Sequence, residues 1–401
     1  MASGAVAALR GSEHIIAGGV VVAAESSPSP FGTLLALQGD HPLPGRHSFA
    51  AARRIGEAAA AIRGDDLVVV LLSGGASSLV AAPLQGIAES DLERLFTIVM
   101  DAGLDIGAMN AVRKRFTLWG AGRLALALVP ARTQVLLMSD VPGDDPANVG
   151  SGPCSPDPSR VRDVIALLEQ AELIDRIAPA MRHYLAAVAR GILPETPKPG
   201  DPAFARVSAR VIGTNSLALD AAVAHARALS LDVERMHAPL TGDAARCGHS
   251  IATSLLARAE RGETGCVVWG GETTVRLSSA ARAGTSRTPR SESGGASVTR
   301  ATGGRCQELA LAAARTLSMS GPLAHTVTLL AAGTDGRDGP TDAAGAFADA
   351  EVWRNIEHRG LDPEAALARH ESYAALNAAG ALFRRGPTGT NVMDVVVALV
   401  E

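Results

Sequence analysis

The feature that most limits the fold is a repeated pairing of short apolar runs with small-residue turns. Leu67–Leu72, Gln134–Met138, Cys266–Trp269 and Thr326–Ala331 read as strands, and three of them run directly into Ser73-Gly74-Gly75, Gly270-Gly271 and Ala332-Gly333. Between them lie Ala- and Leu-rich stretches with helical spacing: Phe49–Ile62, Asp91–Ala102, Pro158–Ala171, Asp220–Ala228, Ala244–Arg261, Gln307–Leu317 and Tyr373–Ala378. Alternation of this kind predicts an α/β fold around a mostly parallel sheet. Ligands of such sheets sit at the carboxyl ends of strands, where these glycine-rich turns fall.

A Pro-rich patch, Leu193-Pro-Glu-Thr-Pro-Lys-Pro-Gly-Asp-Pro202, followed by a fresh apolar run at Ala209–Ile212, marks a domain boundary. We expect one domain over residues 1–204 and a second over 205–401, an organisation consistent with a chain of 401 residues. Residues 278–302 are rich in Ser, Gly, Thr and Arg without apolar period, and read as a surface insertion. With 41 acidic against 37 basic side chains, and only 3% aromatic residues, nucleic acid is not an expected partner. No apolar run approaches the ~18 residues of a membrane span. No secretory signal is visible, and the four cysteines are too scattered for a zinc site or a disulfide framework, so a cytoplasmic location is expected.

Several segments concentrate polar groups beside small residues. Ser73-Gly74-Gly75-Ala76-Ser77-Ser78 offers backbone amides and hydroxyls to an anion, although a tight turn with capping serines would look the same. Asn110, Arg113 and Lys114 suit a carboxylate or phosphate, because a guanidinium can hold either through two parallel hydrogen bonds. Asp140, Asp144 and Asp145 end a strand shortly before Ser151-Gly152-Pro153. Further on, Glu272 follows Gly270-Gly271, Gly303-Gly304-Arg305 opens a helix through Gln307 and Glu308, and Thr334 precedes Asp335, Asp338 and Asp342. Three aspartates among glycines repel one another unless a cation offsets them, and Mg²⁺ takes one or two carboxylates together with substrate phosphates. Gly120-Ala-Gly122-Arg-Leu-Ala125 matches a dinucleotide fingerprint, but no strand precedes it. P-loop and Gly-x-Ser-x-Gly motifs are absent.

Taken together these segments resemble the class II glycerate 2-kinases, the glycerate kinase family with a MOFRL C-terminal domain. Gly39-Asp-His-Pro-Leu-Pro44, the Ser73–Ser78 turn, Asn110-Ala-Val-Arg-Lys114, Gly122-Arg-Leu-Ala125, Ser139-Asp-Val-Pro-Gly-Asp144 and Ser151-Gly-Pro153 carry the likeness. So do Gly213-Thr-Asn215-Ser216, Gly270-Gly-Glu-Thr273, Gly303-Gly-Arg305, Ala332-Gly-Thr-Asp-Gly336, Asp338-Gly-Pro-Thr-Asp-Ala343 and Gly386-Pro-Thr-Gly-Thr390-Asn391. The resemblance implies a Rossmann-like N-terminal domain with a mostly parallel sheet, a smaller α/β MOFRL-type C-terminal domain, and a site in the cleft between them. It implies transfer of a phosphoryl group from ATP to the 2-hydroxyl of D-glycerate, with Mg²⁺. Arg305, Asp335, Asp338 and Asp342 are then the catalytic candidates, with Asp335 and Asp338 toward the metal. Ser73, Gly74, Gly75, Ser77, Asn110, Arg113, Lys114, Asp140, Ser151, Asn215, Glu272, Gln307, Glu308, Thr334, Thr390 and Asn391 are the substrate- and nucleotide-binding candidates, with Arg113 or Lys114 on the glycerate carboxylate.

Three positions depart from the family pattern. The family's initial strand and helix, with a Gly-Lys-Ala segment, has no counterpart in a chain that opens Met1-Ala-Ser-Gly-Ala. Either the start of the chain lies further upstream, or the protein lacks a sheet edge and a catalytic cation and activity is expected to fall. Cys306 stands where Asn is usual, and Met393 where a polar residue is usual. Two other readings compete: an NAD(P)-dependent reductase of hydroxypyruvate or tartronate semialdehyde, resting on Gly120–Ala125, and a non-catalytic relative that only binds ligand. A homodimer is compatible with the sequence but not indicated by it.

Overall fold

The computed structural model describes residues 1–12, 15–25, 32–275 and 302–401. The expected insertion, apart from Thr302, lies outside the described residues. The chain divides into two compact units, Met1–Ile212 and Gly213–Glu401. No helix of the described residues is long and apolar enough to cross a membrane.

The first unit opens with α1 (Ala2–Arg10), then β1 (Gly19–Ala23) and β2 (Leu34–Gln38), which run parallel. After α2 (Arg46–Ala60) comes β3 (Leu67–Leu72), followed by the short α3 (Ala76–Leu79), α4 (Glu89–Asp101), α5 (Ile106–Arg113) and α6 (Arg123–Leu128). Next are β4 (Arg132–Met138), parallel to β3, then α7 (Val161–Gln170), α8 (Pro179–Ala189) and β5 (Val207–Gly213), giving the sheet order β3-β4-β5. Helix α4 shows how the sequence dictates its element. Leu92, Leu95, Phe96 and Val99 recur at helical spacing and are buried, while Glu89 and Asp91 place negative charge on the first turn. Each such burial contributes roughly 1.5–3 kcal/mol. These side chains pack with Val112, Phe116, Val164, Leu168, Met181 and Leu185 into one core, and a second core lies under the β3-β4-β5 sheet.

The second unit contains α9 (Asn215–Ala228), β6 (Val233–Arg235), α10 (Ala244–Glu260), β7 (Gly265–Gly271), α11 (Arg305–Ser318), β8 (Val327–Gly333) and β9 (Gly345–Ala348). Three helices follow, α12 (Val352–His358), α13 (Pro363–Ala368) and α14 (Ser372–Ala378), then β10 (Leu382–Phe383) and β11 (Asp394–Val400). The sheet order is β10-β9-β8-β11-β7-β6. The parallel sheet expected of the N-terminal domain is not repeated here: β11 is antiparallel to both β7 and β8, β9 is antiparallel to β8 and β10, and among the described residues β6 and β7 are the parallel pair. The continuous apolar run of β11 resembles a parallel strand for a physical reason. Val396, Ala398 and Val400 join the core beneath α10 and α11, while Val395, Val397 and Leu399 pack with Leu219 and Val223 of α9, so both faces are covered. Helices α10 and α11 meet closely because Gly248 has no side chain; a Cβ there would stand 2.1 Å from the Leu309 carbonyl oxygen.

This topology decides where loops collect. Since β7 and β8 are both antiparallel to β11, their carboxyl ends lie at the same end of the sheet as the start of β11, and Asp394 lies in register with Gly271 and Gly333.

Candidate active site

In the first unit, four loops converge around the end of α5. The Gly39–His41 loop is pinned by Asp40, whose carboxylate accepts hydrogen bonds from the His47 amide (2.9 Å) and its ring, while the Asp40 amide donates to Ser48 Oγ (2.8 Å). The turn after β3 lies against this loop: a Cβ on Gly75, whose φ of +76° suits glycine, would stand 3.0 Å from the His41 ring. Gly74 is more constrained still, since its Cβ would fall 1.5 Å from Asp140 Oδ2. The Gly150 turn touches Ala76, and Asn110 Nδ2 donates to the Asn148 carbonyl (3.4 Å), which brings the Ser151 segment to α5.

Arg113 is the chemically distinctive member. Its side chain is buried, with the guanidinium carbon 4.6 Å from the centre of the Phe96 ring, and its Nε and Nη2 have no hydrogen-bond partner. Burial lowers its pKa to about 10, so it remains charged at neutral pH. Burial, and then the charge of Arg113, hold the His41 imidazole below its usual value, so His41 is neutral there. A buried cation without a counter-charge is costly, and the ring face offsets only about 1–2 kcal/mol of that. The buried hydroxyl of Ser151 also has no partner. An anion placed at Arg113 would satisfy the guanidinium.

Lys114 has a different environment. Its ammonium is buried 2.9 Å from Asp157 Oδ1, so of the two cations proposed for a substrate carboxylate only Arg113 lacks a carboxylate partner.

In the second unit the candidates gather at the end of the sheet where β7 and β8 finish and β11 begins. Arg305, first residue of α11, forms a two-bond fork with Asp394 (Nε–Oδ2 2.6 Å, Nη2–Oδ1 2.9 Å) and an ion pair with Glu272 (Nη1–Oε1 2.7 Å). Burial alone would lower the Arg305 pKa, but the hydrogen bonds and charge of Asp394, with Glu272, raise it. Asn215 Nδ2 donates to the carbonyls of Val392 (2.8 Å) and Asp394 (2.9 Å), and Thr334 Oγ1 donates to the Met393 carbonyl (2.7 Å). The start of β11 is therefore held from both sides.

Residues 1–186 match the domain of unknown function DUF4147, and residues 265–394 match the MOFRL family. The chain is 34% identical to an Agrobacterium vitis protein bearing the provisional name hydroxypyruvate reductase, over 95% of this chain and 81% of that one. It is 33% identical to the glycerate 2-kinase of Pyrococcus horikoshii, over 91% of this chain and 77% of the relative. The crystal structure of glycerate kinase from Thermotoga maritima superposes with a TM-score of 0.78 at 31% identity, covering 96% of this chain and 85% of that one. The chain belongs to the glycerate 2-kinase family.

Against that family's motifs, the three aspartates of the Asp335–Asp342 stretch do not come together. Asp338 is buried and accepts hydrogen bonds from the Cys306 (3.2 Å) and Gln307 (2.8 Å) amides, closing the start of α11; burial raises its pKa to about 6. Asp342 is exposed and bonded to Tyr373 Oη (2.8 Å) and Arg384 Nε (3.0 Å). Asp335 accepts from the Arg337 amide (2.9 Å) in a half-exposed turn. Gln307 Nε2 donates to the Asp338 carbonyl and Thr341 Oγ1, while Glu308 is buried against His370 Nδ1 at 2.8 Å. Thr390 and Asn391 are tied to their own loop, through Thr388 Oγ1 and the Met393 amide. Ser73 and Ser77 are half-buried on the turn after β3. Of the family-divergent positions, Cys306 is a buried core residue, and Met393 contributes its backbone carbonyl.

Among the described residues no three His, Cys, Asp or Glu side chains are arranged to hold a metal ion. The residues thus do not form a metal cage of their own, and fit at most an ion that arrives on phosphates and takes one or two carboxylates. Asp335, bonded through one carboxylate oxygen, is suited to that part. The Gly120–Ala125 segment does not form a dinucleotide turn. It follows a helix, Gly120 is held against Thr117 and Lys114, and Gly122 against Phe204 and the Ser155 carbonyl.

Asp394, Phe96 and Asp157 were not singled out from sequence. Asp394 does carry a signal, an acid opening an otherwise wholly apolar strand. Phe96 carries none, because its helical spacing marks it only as core.

Proposed function

We propose that this protein is an ATP-dependent glycerate 2-kinase, forming 2-phosphoglycerate from D-glycerate. The observation that carries the reading is Arg113: a buried, charged guanidinium with two partnerless nitrogens, in a member of this family. Arg113 receives the glycerate carboxylate, with Ser151 and Asn110 as neighbouring donors. The Ser73–Ser78 turn presents small residues and hydroxyls to substrate or phosphate oxygens. Phosphoryl transfer requires positioned charge more than covalent participation by the protein. The 2-hydroxyl oxygen forms the new bond to the γ-phosphorus as the bond to ADP breaks, and the hydroxyl proton passes to a carboxylate, for which Asp140, against the turn after β3, is the candidate. Arg305, held rigid by two acids, is a preorganised donor to nucleotide phosphates. Mg²⁺, when bound, screens the phosphate charge, with Asp335 as its protein ligand.

The test is a coupled assay with ATP, Mg²⁺ and D-glycerate, using enolase to report 2-phosphoglycerate. Turnover is expected. Absence of turnover together with NADH-dependent reduction of hydroxypyruvate would replace this reading with the reductase.

A further inference from the structure

Arg113 has no hydrogen-bonded anchor at Nε or Nη2, so its aim depends on what holds the end of α5. Two groups do so. Asp157 Oδ1 lies 2.9 Å from Lys114 Nζ and accepts from Ser159 Oγ (2.8 Å), while Oδ2 accepts from Thr196 Oγ1 (2.8 Å) and lies 3.4 Å from Arg115 Nη2. The two residues directly after Arg113 are thereby fixed to a fully buried carboxylate shortly beyond Ser151 in the chain. Arg123 closes the helix from the backbone side. Its Nη1 donates to the carbonyls of Lys114 (2.9 Å) and Thr117 (3.0 Å), and its Nη2 to that of Arg115 (3.2 Å).

The turn that carries Arg123 also grips the Ser151 segment. Ala121 N donates to the Ser151 carbonyl (2.9 Å), Gly122 N to Gly152 (2.8 Å) and Leu124 N to Pro153 (3.1 Å). Side-chain and backbone ties thus join the same two pieces, the end of α5 and the Ser151 turn. The Gly120-Ala-Gly122-Arg123 motif has a structural use here that requires no dinucleotide.

We propose that Asp157 and Arg123 are positioning residues that lock the end of α5 to the Ser151 turn, so that Arg113 presents its free donors to the substrate carboxylate in a fixed orientation. Neither touches substrate; both act through Arg113. A misplacement of about 1 Å in such a donor can cost about 100-fold in rate, which gives supporting residues a measurable effect. The inference rests on the assignment of Arg113 to glycerate.

The experiment measures D-glycerate Kd by calorimetry, with thermal unfolding in parallel, on the full chain and on Asp157→Asn, Arg123→Lys, Arg113→Ala and the Asp157→Asn/Arg113→Ala double variant. Asp157→Asn and Arg123→Lys are expected to weaken glycerate binding tenfold or more while ATP affinity stays within twofold. On the Arg113→Ala background, Asp157→Asn should add less than twofold, because its effect passes through Arg113. A folded Asp157→Asn with unchanged Kd, or a full tenfold effect on the Arg113→Ala background, overturns the proposal. If Asp157→Asn does not fold, Arg123→Lys decides in the same way. Arg113→Ala with unaltered glycerate affinity would instead remove the underlying assignment, and the proposal with it.

Discussion

At the residue scale, Arg113 shows function and stability in opposition. Its pKa, lowered by burial from the ordinary guanidinium value to about 10, corresponds to a penalty on the order of 3 kcal/mol for keeping the charge in the fold, partly offset by the Phe96 ring. Because the folded pKa lies below the unfolded one, this penalty is constant below about pH 10 and is relieved only above it. Arg113→Met is therefore expected to raise the ligand-free Tm by several degrees, by the same amount at pH 6 and pH 9, and to abolish the Tm increase that glycerate gives the parent. Thermal unfolding with and without glycerate checks both; a lower Tm for the variant would mean that the guanidinium is not a burden in the free protein. Arg305 is the opposite case. Removing it leaves buried Asp394 without its Arg305 partner, so Arg305→Ala should lower stability by about 3 kcal/mol as well as turnover. Adding Asp394→Asn should recover stability but not activity, as measured by denaturant unfolding and the coupled assay.

At the scale of elements, legibility followed length and periodicity. Helices α2, α4, α10 and α11 were readable from apolar spacing long enough to have a period, and strands β3, β4, β7 and β8 from apolar runs ending in small-residue or acidic turns. Strands β6, β9 and β10, of three, four and two residues, carry no period at all. The site was legible only as motifs: Arg113 and Lys114 are adjacent in sequence and look equivalent, and what separates them is Asp157, which no local pattern connects to either. That pairing has a pH signature. Burial would raise the Asp157 pKa, but Lys114, Thr196 and Ser159 hold it below the ordinary carboxylate value. Its stabilising contribution is then complete above the unfolded pKa and lost as pH falls through the folded one. Between pH 5 and pH 2, Tm should fall more gently in Asp157→Asn than in the parent, from a lower starting point. Turns are tested by glycine. Gly74→Ala places a Cβ inside the Asp140 carboxylate and should cost stability and activity together, whereas Gly4→Ala, with nothing within 4 Å, should be neutral or slightly stabilising.

For the whole molecule, the contrast between the two units sets the order in which structure should open. In the second unit β11 pairs along its full length with β7 and β8, and its two faces fill separate cores. Opening it exposes both cores and breaks two ladders at once. In the first unit β3, the most apolar strand, pairs with β4 on one side only, and among the described residues no strand occupies its other edge or the outer edge of β1. Five of the six β3 side chains remain partly or fully exposed, where a central strand of a parallel sheet would be covered. Local opening energies follow buried contacts and ladder closure rather than hydrophobicity of sequence. Hydrogen exchange followed by mass spectrometry should accordingly find the β11 amides slowest in the chain and those of β1, β2 and the open edge of β3 fastest among the strands. Glycerate should slow exchange first around α5 and residues 148–153, without altering β11. Uniform protection of β3 and β11 would show that the open edge is covered in solution, and would direct attention to what pairs with it.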